Sequence, residues 1–158
     1  MSARVVIQRI VRTVKVAARG PAGPPCDGSR IVCGVTTSNA TPTNVLGYGS
    51  ARLVIPANTT WKATIEINAS TNTAGNLDAQ YERKLRVRRG TTAGSTVVTS
   101  VVTIGTDSGS NAGIPPVGWA IAITADTTNG ALDIQVTGAA ATNIRWVCVV
   151  TLAEVAFP

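Results

Sequence analysis

Trp61-Lys62-Ala63-Thr64-Ile65-Glu66-Ile67-Asn68 decides the fold class. Apolar Trp61, Ala63, Ile65 and Ile67 alternate with polar Lys62, Thr64, Glu66 and Asn68. A period of two places one set on each side of an extended backbone, so the segment predicts a strand with one buried and one wet face. The same alternation recurs downstream. Leu132, Ile134 and Val136 alternate with Asp133, Gln135 and Thr137, while Ile144, Trp146, Cys148, Val150 and Leu152 line one face of a last strand. Tyr81, Leu85 and Val87 oppose Glu82, Lys84, Arg86 and Arg88.

Outward from these runs, the spacing predicts strands at 31–35, 52–55 (stopped by Pro56), 61–68, 81–87, 97–104, 119–123, 132–136 and 144–152. Turn-forming clusters separate them at Asn72–Gly75, Arg89–Gly94, Gly105–Gly113 and Thr128–Gly130. Asn129-Gly130 suits a two-residue type I′ hairpin, because both central positions of that turn need positive φ. Composition agrees: valine, isoleucine and threonine make up 54 of the 158 residues, whereas leucine and methionine total 7. β-Branched side chains lose rotamer freedom in helices and pack well on pleated surfaces. The expected fold class is therefore all-β, an antiparallel β-sandwich or jelly roll with an extended N-terminal arm.

Charge divides the chain differently. Net charge is +6, of which residues 1–30 carry +5 and the remaining 128 residues +1. Three divisions follow: a basic arm at 1–19, a Gly/Pro linker at 20–29 and a sandwich body at 30–158. Basic residues interrupt each apolar run of the arm, which argues against a secretory signal, and its β-branched content argues against an amphipathic transit peptide. We read Arg4, Val5, Val6, Ile7, Arg9, Ile10, Arg12, Val14 and Lys15 as a partner-binding arm. Its valines and isoleucines would pair with another protein, and its arginines would meet carboxylates. A helical alternative stays open, because Ala3, Ile7, Ile10, Val14 and Ala17 follow the spacing of a coiled-coil seam suited to three strands. In the linker, Gly20-Pro21-Ala22 and Gly23-Pro24-Pro25 are two collagen-like triplets, too few to hold a triple helix alone.

Candidate chemistry is sparse. The chain has no histidine and eight carboxylates scattered along its length, so a histidine triad or a zinc-hydrolase site cannot be assembled from it. We expect no enzyme activity, no cofactor and no metal. Cys26, Cys33 and Cys148 lack metal-ligand spacing; Cys148 reads as a small core residue, and Cys26 and Cys33 could close a short loop, with three free thiols as the default. Asp107-Ser108-Gly109-Ser110-Asn111 is rich in oxygen but reads as turn chemistry rather than a calcium loop. Arg83, Lys84, Arg86, Arg88 and Arg89 crowd one strand. They would suit a phosphate or an acidic surface, but the few aromatic residues (4%) disfavour nucleic acid. No apolar run reaches membrane-helix length.

Three segments carry a resemblance: Val117–Asp126 with Trp119, then Leu132–Gly138 ending in Val-Thr-Gly, then Asn143–Val155 with Ile144-Arg145-Trp146 and Glu154-Val155. Together they resemble the C-terminal β-domain of tailed-bacteriophage virion appendages: tail-fibre tips, head fibres and head-decoration proteins. Cys148 departs from the pattern, where a small residue is usual. The resemblance spans about residues 79–155, and the collagen-like triplets fit such appendages. It implies a structural virion protein, assembled in the bacterial cytoplasm, that decorates a capsid or forms a head fibre. The arm would bind capsid or other virion proteins, the β-domain would form a homotrimer, and no membrane would be involved. The alternative is a tail- or collar-fibre tip that binds a host receptor or glycan.

Overall fold

The computed structural model describes residues 29–47, 50–72 and 77–157, and the arm and most of the linker lie outside them. Two antiparallel sheets stack as a β-sandwich. The large sheet contains β1 (Ser29–Thr37), β3 (Leu46–Gly47), β5 (Thr59–Thr71), β6 (Asp78–Arg89), β7 (Val97–Thr103), β8 (Ser108–Gly109) and β11 (Ile144–Ala156). Its order is β3-β1-β11-β5-β6-β7, with β8 also paired to β6. The small sheet is centred on β10 (Ala131–Thr137), which pairs with β2 (Thr43–Asn44), β4 (Leu53–Val54) and β9 (Ala120–Asp126).

Alternation becomes burial. Along β5 every second residue from Thr59 to Thr71 is buried, and along β11 Ile144, Trp146, Cys148, Val150 and Leu152 are buried. These side chains, with Tyr81, Leu85 and Val87 of β6, meet Leu53, Leu132, Ile134 and Val136 of the small sheet in one core. Trp146 lies at its centre, with its ring 5.6 Å from Trp119 and 6.3 Å from Tyr81. Its indole Nε1 donates to Thr37 Oγ1 at 2.9 Å, so this fully buried side chain leaves no polar group unpaired.

Boundaries differ from the sequence reading in instructive ways. Both β5 and β11 run to 13 residues, because each is paired on both sides. The strand expected at 52–55 has only two laddered residues, since β10 offers a partner only to Leu53 and Val54. β2, β3 and β8 are two residues each, too short to produce a period.

The Asn129-Gly130 hairpin is corrected. β9 and β10 do pair, but from Asp126↔Ala131, so four residues form the loop. Only Gly130 of the two takes positive φ (+68°), as the type I′ turn does not allow. Asp126 explains the longer loop: its Oδ1 accepts from the backbone N–H of Thr128 (3.1 Å) and Asn129 (3.0 Å), and its Oδ2 from Asn129 Nδ2 (2.7 Å). A Cβ on Gly130 would also stand 2.7 Å from the Arg89 guanidinium.

The expected free thiols are seen at the two cysteines that the structure describes. Cys33 and Cys148 are cross-strand partners on β1 and β11, both free and both turned into the core, and Cys26 lies outside the described residues. Burial raises the Cys33 thiol pKa and, with the nearby Cys33 charge second, pushes Cys148 up to about 12.

Candidate functional site

The outer face of the large sheet is where the body presents its charge. Along β5 the outward residues are Thr60, Lys62, Thr64, Glu66, Asn68 and Ser70, and along β6 they are Asp78, Gln80, Glu82, Lys84, Arg86 and Arg88. Register brings them into rows: Thr60↔Arg88, Lys62↔Arg86, Thr64↔Lys84, Glu66↔Glu82, Asn68↔Gln80 and Ser70↔Asp78. Rows on one face are spaced by two residues, about 7 Å along the strand. Lys62, Lys84, Arg86 and Arg88 therefore share one end, and Glu66, Glu82 and Asp78 the other. Among the described residues none of those four cations lies within ion-pair distance of a carboxylate.

Of the five basic residues that crowd β6, only Lys84, Arg86 and Arg88 lie on this face, as their alternation predicts. Arg83 turns inward and binds Asp107 with both guanidinium nitrogens, at 2.5 and 2.7 Å. Its Cζ lies 5.9 Å from the centre of the Tyr81 ring. The hydrogen bond that Arg83 donates to Asp107 raises the Arg83 pKa further. Burial, followed by the Asp107 charge, pushes the Tyr81 phenol up to about 12. Arg89 also turns in, donating to the Ile55 carbonyl at 2.7 Å. Asp107 is thus more than turn chemistry: it neutralises a cation at the core's edge. The stretch expected to be loop also contributes β8, whose Gly109 lets the Asp78 and Ile114 carbonyls approach to 2.6 and 2.8 Å of where a Cβ would sit.

Beside the acidic rows, the Ile104–Ser108 segment forms one wall of a groove of about 480 Å³. Glu66, Asn68, Gln80, Glu82, Thr106 and Ser108 supply its polar lining. It offers carboxylates, amides and hydroxyls, a donor set suited to hydroxyl- or amine-bearing ligands.

Other apolar groups are exposed on the same sheet. Val32 and Val147 stand beside the β5 rows, and edge strand β7 leaves Val97, Val101 and Val102 at 40, 44 and 55% exposure. The arm residues Arg4 through Lys15, singled out as the partner-binding element, lie outside the described residues. Sequence reasoning missed both cross-strand like-charge pairs and the Arg83–Asp107 bridge. The first needed the β5–β6 register, which alternation within each strand does not set; the second joins positions 24 apart, with no periodic signal.

No family model matches the chain, and no curated protein matches it. Among solved structures, it is similar to the crystal structure of the Acinetobacter phage vB_ApiP_P1 tailspike protein, at 14% identity and a TM-score of 0.35. That match covers 93% of this chain and 25% of the tailspike chain, so the chain spans about a quarter of the protein it matches.

Proposed function

We propose that this chain is a structural protein of a tailed-phage virion that decorates the particle as a head-decoration or head-fibre protein. Residues 1–19 are its anchor, and the β-body assembles as a homotrimer. The observation that carries the reading is what the virion-like segments become. Val117–Val155 folds as the β9–β10 hairpin followed by β11, the strand that joins β1 to β5 at the middle of the large sheet. The resemblance therefore coincides with the element that organises the body.

The placement of charge supports an anchor at the N-terminal side. Ser29, where β1 begins, pairs with Leu152, and Leu152 pairs with Ala63, beside the rows of Lys62, Arg86 and Arg88. The basic segment therefore joins the body near its cationic end, which repels it outward toward an acidic partner surface. On this reading the protein does no catalysis; its chemistry is adhesion.

A second reading rests on the polar groove beside the acidic rows. Hydroxyl-rich ligands fit its lining, so a fibre tip that recognises a host glycan is the alternative. Deleting residues 2–19 distinguishes the two. A decoration protein is expected to keep a folded body, shown by an unchanged circular dichroism spectrum, and to vanish from particles in negative stain. Continued binding of the truncated body to particles would remove the anchor assignment. Retained attachment to host cells after that deletion, lost on changing groove residues, would favour the tip.

A further inference from the structure

The outer face of β5 and β6 contains two repulsive contacts of opposite sign. Lys62 stands directly opposite Arg86, and Glu66 directly opposite Glu82. Like charges placed directly across a ladder destabilise it. Only the Thr64↔Lys84 row separates the two pairs, so their centres lie about 14 Å apart along the strands. Beyond the cationic pair comes Arg88, and beyond the acidic pair come Gln80 and Asp78, so the face is positive at one end and negative at the other.

We infer that this face binds a second copy of the chain, turned end for end. Half a turn about an axis lying in the interface and crossing the strands leaves β5 over β5 and β6 over β6 but reverses the order of rows. With the axis on the Thr64↔Lys84 row, the Lys62↔Arg86 row of each copy lies over the Glu66↔Glu82 row of the other, so both repulsive pairs meet opposite charge at once, while Lys84 lies over its own copy between these two flanking contacts. An acidic partner would relieve Lys62 and Arg86 but confront Glu66 and Glu82 with more negative charge. A basic partner would do the reverse. The inverted copy alone answers both, which is the self-complementarity a two-fold contact requires. Val149 and Val32, in line with Glu66, and Val102, in line with Lys84, add apolar area on either side.

The contact also excludes one assembly. Three bodies packed in parallel with this face at their axis would stack cationic rows on cationic rows. A homotrimer must therefore use another surface, and the face-to-face contact doubles whatever oligomer that surface builds. This inference stands on the outer face and needs no assumption about the virion; particle attachment after deletion of residues 2–19 tests the preceding reading separately.

Sedimentation velocity of the full chain tests it. The particle mass at about 50 mM salt is expected to be twice that at about 500 mM, with dissociation at least tenfold stronger in high salt. The double variants Lys62→Glu/Arg86→Glu and Glu66→Lys/Glu82→Lys are expected to stay at the high-salt mass, because each face then repels its copy. An equimolar mixture of the two is expected to recover the doubled species. If either double variant fails to fold by circular dichroism, Arg86→Gln and Glu82→Gln report the same contact, each as about a tenfold loss of association. A mass independent of salt, or a mixture that behaves as its components, would overturn the inference. Tighter association of Lys62→Glu/Arg86→Glu would overturn it too, by assigning the salt-sensitive contact to the basic N-terminal segment on the acidic rows.

Discussion

Tyr81 shows how far one residue's environment departs from what its type suggests. Its ring packs between Trp146 and Arg83, and its hydroxyl is buried without a hydrogen-bond partner among the described residues. Burial and the Asp107 charge hold the phenol at about 12 instead of 10. The folded state therefore keeps a proton that the unfolded chain surrenders as pH rises past 10, so this stabilising contribution is complete below pH 10 and is lost as pH rises through 12. Cys148, shifted from 9 to about 12, acts with the same sign. Tyr81→Phe is expected to be at least as stable as wild type near pH 8, since an unpaired buried hydroxyl costs free energy. It is also expected to lose less stability between about pH 10 and 12. Urea midpoints measured across that range check both; an unchanged alkaline slope would show that Tyr81 is not the group responsible.

At the scale of elements, edge strand β7 is the informative one. Lys84 pairs with Val102 and Arg86 with Thr99, so Ser100 and Val101 together oppose Leu85 in a bulge. Ser100 takes φ +56°, a conformation that costs an L-residue about 1–2 kcal/mol and a glycine almost nothing. Bulges twist exposed edges away from further pairing, which suits a strand carrying three exposed valines. Ser100→Gly keeps the bulge and removes the strain, partly offset by the freer unfolded chain. A net gain of about 0.5–1 kcal/mol is expected, read as a higher urea midpoint at constant m-value. A loss of stability would mean that the serine side chain holds the bulge through a contact of its own.

For the whole molecule, the proposed anchoring by residues 1–19 raises the question of which would dominate it: the basic charges or the apolar residues of that segment. Burying one valine or isoleucine is worth about 1.5–3 kcal/mol, whereas a rim ion pair contributes about 0–1 kcal/mol. On that proposal Ile7 and Ile10 should matter more than Arg4, Arg9, Arg12, Lys15 and Arg19, which would steer the encounter and set register. Ile7→Ser/Ile10→Ser is expected to release more protein from particles than a rise to about 1 M salt, measured by pelleting particles and assaying the supernatant. Complete stripping of the wild-type protein by salt alone would assign the attachment to charge.

Much of this molecule was legible in the order of its residues. Alternation along 61–68, 132–137 and 144–152 marked which side chains would be buried, because period is a local property of an extended backbone and needs no partner to express itself. Charge asymmetry between the first 30 residues and the rest was equally plain. What tertiary structure decided was pairing. Whether Lys62 would face Arg86 or a neutral neighbour depended on a register that one slip at the β5–β6 turn would invert, sending each outward charge inward. Alternation already set Arg83 and Arg89 on the side opposite Lys84, Arg86 and Arg88, but their partners, Asp107 and the Ile55 carbonyl, lie far away in sequence and were supplied by the fold. β11 organises the sheet because β1 and β5 close on both its sides, a fact of long-range contact. Periodicity is written residue by residue, while register and ion pairing exist only once segments far apart in the chain are held side by side.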